Sequence, residues 1–490
     1  MNSILSFPEI YWTTKTWLVY GTSIQYILGT MLFPLKLFFL KSLNLDFEYY
    51  IFVSIFSRFA SIILGTGCIY LTYLIAKKSY DEKVALLSAA FLSVAFYHTL
   101  NSALITLDVS SSFLLMLNFF LCFRAMETNR LLDYILLGIA SGLLVGTKIV
   151  LGIFFCIPFI LNYLKFFYPL SNTDTGQFSL LNQTKLLIFY LLIAIIVFIA
   201  FHPHIFLDFD KYISFYLSDK HNFMDRTRTS INGILFIWGK NTIKSMGPFL
   251  PVFAFFGVFL KGKKSSRNRL MLLLFLGLYY GFFRWFLDPR YIIAISPIIC
   301  IFAAGFCIWF LNQKKLFLRY IGIATIIIAM SYSLYWCISG ISLRLNDTRL
   351  SAAKFIMQHI PKGTTIGISG VSEKYDWRTH SWDYPKIDFR RYRGVNFLNE
   401  PELLILNSND FEKVINTLNS GKLRKNYVLP ETHYKDWYKY SAPSPRIFRF
   451  YDDLLVKNKS SYVLLKTFQQ KVNVPLEFAP PEIRIYQKML

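Results

Sequence analysis

The residues whose types could do chemistry gather at the edges of apolar runs. Asp108 stands in Thr-Leu-Asp at the head of an apolar stretch, Ser102 to Met126, that carries Arg124 near its far end. An ionisable residue at membrane depth is costly, which makes it a functional candidate by default. Aspartate also favours helix N-caps and the positive end of the dipole, so Asp108 could simply start its helix. Lys148, in GLLVGTKIVLG, lies between two apolar runs with no acid close in sequence, which invites an anionic ligand. A lysine anchored at the interface by snorkelling has the same look. Glu9, in Phe-Pro-Glu, is a second acidic candidate or an ordinary solvated acid. Arg290, in Asp288-Pro289-Arg290-Tyr291, could bind an anion or pair locally with Asp288, which contributes little at a surface. His202-Pro203-His204 resembles a metal-ligand pair only loosely, since Pro203 bends the chain between the rings and histidine is common at interfaces. Arg226 and Arg228 share the next loop, as cavity cations or as a solvated pair.

Other chemistries lack their parts. No GxxxxGK phosphate loop, HExxH or GxSxG occurs, which removes nucleotide hydrolysis and the common protease arrangements. The six cysteines fall inside apolar segments with no CxxC or Cys/His ligand spacing. They read as packing residues, with neither a disulfide framework nor a zinc site expected. No cofactor is called for, and a divalent cation stays open.

The elements that must position these residues are membrane spans. Of the 490 residues 54% are hydrophobic and only 17% charged, where a soluble protein carries roughly a quarter charged. A formal charge of +23 would suggest nucleic acid in a soluble chain. Here the bases sit mostly in short loops between apolar runs, so positive-inside topology and membrane lipids account for them, and no nucleic-acid partner is expected. A span needs about 20 apolar residues. The runs at 49–76, 84–101, 109–124, 131–148, 150–167, 186–202, 246–260, 270–287, 291–311 and 318–340 predict about ten spans. Lys77 and Lys78, Arg124 and Arg130, Lys185, the run from Lys261 to Arg269, and Lys314 to Arg319 then alternate onto the cytoplasmic side. Asp108, Lys148, His202 and Arg290 fall on the other. Residues 1–48 are expected as an external loop with an interfacial helix broken around Gly29 and Pro34. After Gly340 the composition becomes that of a small α/β domain, 341–490, outside the membrane. Asp347-Thr348 caps a helix that stops before Pro361. Strands are expected at Thr364–Ile368, Glu402–Leu406, Tyr462–Leu465 and Ile483–Tyr486, with a helix at Asp410–Leu418.

Taken in order, these stretches resemble the GT-C superfamily of integral membrane glycosyltransferases, on the side of the protein O-mannosyltransferases and aminoarabinose transferases. Phe7-Pro8-Glu9 resembles the Pro-Asp-Glu motif of the first external loop. Phe56-Ser-Arg58-Phe-Ala60 with Gly65, Ser102 to Asp108, and Gly138-x-x-x-Gly142 with Gly146-Thr147-Lys148 follow in family order. Asp288-Pro289-Arg290-Tyr291 with Pro297, and in the tail Asp347 to Gly363 and Pro481 to Tyr486, complete the match. One departure is that Ile10, not an acid, follows Glu9. Another is that the family's first transmembrane helix is missing, so the N-terminus is expected to lie upstream.

The resemblance implies an inverting transferase that moves a sugar from a polyprenyl-phosphate carrier to an extracytoplasmic hydroxyl. Carrying the family pattern over gives Glu9 or Asp108 as the base. Lys148, Arg58 and Arg290 become the phosphate ligands, with the acceptor cavity near His202, His204, Arg226 and Arg228. The partners implied are a lipid-linked sugar donor, a protein, glycan or lipid acceptor, and membrane lipids. The setting implied is the bacterial inner membrane, with the tail outside it over the cavity. A lipid-linked glycan transporter or flippase, or a catalytically degenerate paralogue prompted by the altered first motif, are the alternatives.

Overall fold

The computed structural model describes residues 23–37, 46–104, 106–160, 180–202, 209–210, 231–260, 266–282, 289–368, 393–396, 399–408, 450–457, 459–469 and 482–489. Glu9, His204, Arg226, Arg228, Asp288 and the helix expected at Asp410–Leu418 lie outside them. Two compact units divide the chain, Met1–Cys337 and Ile338–Leu490.

The first unit is helical. In chain order α1 is Ser23–Leu37, α2 Asp46–Ser79, α3 Glu82–Ser93, α4 Phe96–Ser102, α5 Leu107–Thr128 and α6 Leu131–Thr147. After a 3-10 segment at Ile149–Phe155 come α7 Leu180–Phe201, α8 Ile231–Met246, α9 Phe249–Val258 and α10 Ser266–Phe282. A second 3-10 segment, Pro289–Ala294, leads into α11 Ser296–Leu311 and α12 Leu316–Leu345. Every run expected as a span contains a helix, the one in 150–167 being the short piece Leu151–Ile160. By length and composition, four helices among the described residues can cross a membrane, or five with α3 and α4 taken as one broken span.

The run expected as a span over 84–101 is broken in two. The chain bends by 63° between α3 and α4, at Ala95, whose extended backbone (ψ 113°) interrupts the helix. No proline or glycine marks the site. The freed carbonyl of Val94 accepts from Cys337 Sγ at 3.1 Å. The helix expected to break around Pro34 is continuous through it in α1.

Packing follows small residues. A Cβ on Gly138 would sit 2.8 Å from the Tyr190 carbonyl oxygen, and one on Gly142 2.6 Å from that of Ala194. These glycines therefore let α6 and α7 approach backbone to backbone, as small residues do between membrane helices. Polar groups fasten the same seam. Ser141 Oγ donates to Asn118 Oδ1 at 2.5 Å, and Tyr190 Oη to Ser141 Oγ at 3.3 Å. Helices α2 and α5 run parallel and in step. Gly65 faces Ser102 and Val109, and one turn on Cys68 Sγ meets Ser112 Oγ at 3.4 Å.

In the second unit, α13 (Thr348–His359) starts where Asp347 accepts from the Arg349 amide at 2.8 Å. A five-stranded sheet, β1 Thr365–Ile368, β2 Arg393–Asn396, β3 Leu403–Asn407, β4 Tyr462–Phe468 and β5 Ile483–Lys488, has the order β2-β1-β3-β5-β4. β1 is parallel to β2 and β3, and β5 is antiparallel to β3 and β4. The two-residue period of β3 serves two cores. Leu403 and Ile405 pack with Ala352, Ala353 and Ile356 of α13, and Leu404 and Leu406 with Tyr451, Leu454 and Tyr462.

Candidate functional site

Helix α5 has chemistry at both ends, about 24 Å apart for the 16 residues between Asp108 and Arg124 at 1.5 Å each. At its C-terminal end basic groups are tied up. Arg124 Nε pairs with the buried Asp133 at 2.8 Å, Thr128 Oγ1 donates to Asp133 at 2.5 Å, and Lys78 pairs with Glu127 at 2.5 Å. Asn129 closes the helix in the left-handed region (φ 51°), where asparagine is tolerated, and accepts from Gln183 at 3.1 Å.

At the N-terminal end Asp108 is not the cap. Thr106 holds that position and Asp108 lies inside the first turn, where the helix dipole still favours its charge. Its partner is Lys148, whose Nζ lies 2.7 Å from Asp108 Oδ1, with side chains 6% and 13% exposed for Lys148 and Asp108. No acid stands near Lys148 in sequence, and the one that meets it comes from 40 residues away. Lys148 separates α6 from the 3-10 segment and is itself extended (φ −149°, ψ 95°). A single non-helical residue between two helical pieces turns its side chain away from the α6 stripe.

Lys148 has a second partner. Its Nζ lies 4.4 Å from the centre of the Tyr291 ring, within cation–π range. The backbone carrying that ring is pinned twice. Tyr279 Oη donates to the Tyr291 carbonyl at 2.6 Å, and Ser245 Oγ to the Pro289 carbonyl at 2.8 Å. Sequence alone gives neither Tyr291 nor Tyr279 a role. Tyr279 is hidden in an apolar run, and the only signal for Tyr291 was its place beside Arg290.

The remaining candidates separate. Arg290 is half-buried in the Tyr291 segment. Arg58 is exposed on α2, seven residues before Gly65 and so about 10 Å further along the axis. It is not joined to the Asp108–Lys148 pair. His202 is buried at the end of α7 and stacks on Phe198, ring centres 5.6 Å apart. Among the described residues no three His, Cys, Asp or Glu side chains cluster as metal ligands.

Residues 51–207 match a family model described as dolichyl-phosphate-mannose-protein mannosyltransferase. No curated protein matches the chain by sequence. Among solved structures the chain is similar in fold to ArnT from Cupriavidus metallidurans in the apo state. There the TM-score is 0.51 at 12% identity, over 85% of this chain and 88% of that one. It is similar also to the oligosaccharyltransferase of Archaeoglobus fulgidus in complex with zinc and sulfate. That TM-score is 0.50 at 12% identity, over 99% of this chain and 83% of that one. At such identities the structures speak for the fold alone. The family match and the shared fold bear out what the motif order implied: the chain resembles the GT-C superfamily of integral membrane glycosyltransferases.

Proposed function

We propose that the chain is an inverting glycosyltransferase that moves a sugar from a polyprenyl-phosphate carrier to a hydroxyl on the extracytoplasmic side. The observation that carries this reading is the buried Asp108–Lys148 pair. It sits at the end of α5 opposite the basic residues that mark the cytoplasmic face. The matched family model, whose description names a dolichyl-phosphate sugar and a protein acceptor, supports the donor class.

In the proposed reaction the acceptor oxygen attacks the anomeric carbon from the face opposite the phosphate. The bond from that carbon to the phosphate oxygen breaks, and its electron pair leaves with the polyprenyl phosphate. The acceptor proton passes to Asp108, or to Glu9 if that residue reaches the same place. Phosphate is a good leaving group, so no general acid is required, and the protein's task is to hold the developing charge. Lys148 supplies a point charge for it and Arg290 a fork. Arg58 would join them only with the donor bound. Inversion by one displacement forms no covalent sugar intermediate. The unit at 338–490 is proposed to lie on the extracytoplasmic side and help to choose the acceptor.

The test uses purified protein in detergent, polyprenyl phosphates carrying different radiolabelled sugars, and a crude envelope fraction as acceptor. Label should move to the acceptor with release of polyprenyl phosphate. Transport needs a sealed membrane, so transfer in micelles also excludes a flippase. No movement of label from any donor would overturn the proposal.

Tyr291 gives a finer expectation. A desolvated cation–π contact is worth about 2 kcal/mol, or more than tenfold in affinity. Tyr291→Leu should therefore raise the KM for the donor about tenfold with kcat much less affected. Tyr291→Phe keeps the ring and should stay near the parent value. Steady-state kinetics on the three proteins decides it.

A further inference from the structure

Hydroxyls inside helices usually donate to the carbonyl a turn back, and this chain follows the habit. Thr72 donates to Cys68, Ser88 to Val84, Ser102 to His98 and Thr147 to Leu143, all at 2.6–2.7 Å. Ser57 and Ser61 on α2 do not. Both are buried, 1% and 5% exposed, and neither Oγ has a hydrogen-bond partner among the described residues. Three more buried polar atoms near them share this condition: His98 Nδ1, Asn101 Oδ1 and Thr106 Oγ1.

These five atoms come from elements that meet at the head of α5. Ser57, Ser61 and Gly65 follow one another at intervals of four, along one stripe of α2. Gly65 faces Ser102 of α4 and Val109 of α5, which puts Asp108 at the level of Gly65. Ser61 lies one turn, about 6 Å, beyond, and Ser57 about 12 Å beyond, past Arg58 and outside the group. His98 reaches the Gly65 carbonyl through Nε2 at 3.3 Å, so that nitrogen is the donor and Nδ1 is left as an acceptor. Asn101 spends its Nδ2 on the Tyr97 carbonyl at 2.8 Å, leaving Oδ1 as an acceptor. Thr106 caps α5 without its side chain.

A buried polar atom without a partner costs about 1–3 kcal/mol, and native proteins keep few of them. Four of them, on Ser61, His98, Asn101 and Thr106, come from elements that meet at the level of Asp108, and they call for something that hydrogen-bonds with all of them. The set has two pure acceptors and two hydroxyls that both give and accept, and it has no charge of its own. That combination suits neutral hydroxyl groups and does not suit a phosphate. We infer that Ser61, His98, Asn101 and Thr106 form the subsite for the hydroxyls of the donor's sugar ring, at the level of Asp108. The subsite rests on the transferase reading above.

The test separates the sugar from its carrier. Binding of bare undecaprenyl phosphate and of undecaprenyl phosphates bearing mannose, glucose, N-acetylglucosamine or 4-amino-4-deoxyarabinose is measured in detergent. The proteins are the parent, Ser61→Ala and His98→Phe. The parent should bind at least one glycosylated carrier more tightly than the bare one. Each variant should lose about fivefold of that ratio, the worth of one neutral hydrogen bond, and bind bare carrier as the parent does. That unchanged binding also certifies that the variants are folded. Unchanged ratios in both variants, equal losses for bare and glycosylated carriers, or a parent indifferent to every sugar would each overturn the subsite. A parent that binds no carrier at all would overturn the transferase reading and the subsite with it.

Discussion

Asp108→Asn should reduce sugar transfer by about 10²–10⁴, the usual contribution of a positioned base, and leave the protein folded. Lys148→Met should lose about 10²–10³ in rate through the departing phosphate and should be the less stable of the two, because asparagine at 108 still offers Lys148 an amide oxygen as acceptor, whereas methionine at 148 gives Asp108 no donor. Removing one member of a buried ion pair leaves the other charge uncompensated, at a cost of about 3–5 kcal/mol. Asp108 keeps 13% of its side chain exposed, so the lower end of that range applies. Stability and activity then part company in the double variant. Asp108→Asn/Lys148→Met carries no buried charge at this position and should recover most of the lost stability. It should remain as inactive as the worse single variant, because both proton acceptor and phosphate ligand are gone. Thermal unfolding and transfer assays on the four proteins complete the cycle. Recovery of activity together with stability would mean that the pair only holds α5 to α6, and Asp108 would then be no base.

The pair also shows where sequence reasoning stops. Asp108 and Lys148 were each visible as ionisable residues on the edge of an apolar run, since hydropathy reports which charges sit at membrane depth. Their meeting was not visible. It depends on the packing of α5 beside α6 and on one extended residue between two helical pieces, neither of which has a periodic signature. Tyr291 stands beside Arg290 in sequence, and its own role as a platform under Lys148 appears only in the tertiary contact. The bend at Ala95 illustrates the same limit. It has no proline or glycine to announce it, and the carbonyl it frees is satisfied by Cys337, more than two hundred residues away. The capping aspartate of α13 and four of the five strands were legible because capping and two-residue alternation are local. β2 was missed because Arg-Gly-Val-Asn has almost no alternation to read.

Glycine-to-alanine substitutions at three helical positions should sort by what the new methyl group meets. At Gly257 a Cβ would overlap the Phe302 carbonyl, and at Gly142 it would lie 2.6 Å from the Ala194 carbonyl oxygen. A carbonyl inside a helix cannot rotate away, so the helices must separate, and the loss spreads along the whole seam. Overpacking of this kind costs about 1–3 kcal/mol, and Gly257→Ala should fall at the top of that range or above it. Gly277, with nothing within 4 Å of its Cβ position, is the control. Alanine there should be neutral or stabilising by up to about 1 kcal/mol, because it is the better helix former. Unfolding temperatures in one detergent should follow the order Gly277→Ala, Gly142→Ala, Gly257→Ala, from highest to lowest. The two damaging positions also reach the site. Gly142 lies on the helix that ends at Lys148, and Gly257 packs against α11, which follows the Tyr291 segment directly. If the seams set the spacing between Lys148 and the Tyr291 ring, both variants should bind the donor more weakly than Gly277→Ala even at temperatures where all three are fully folded.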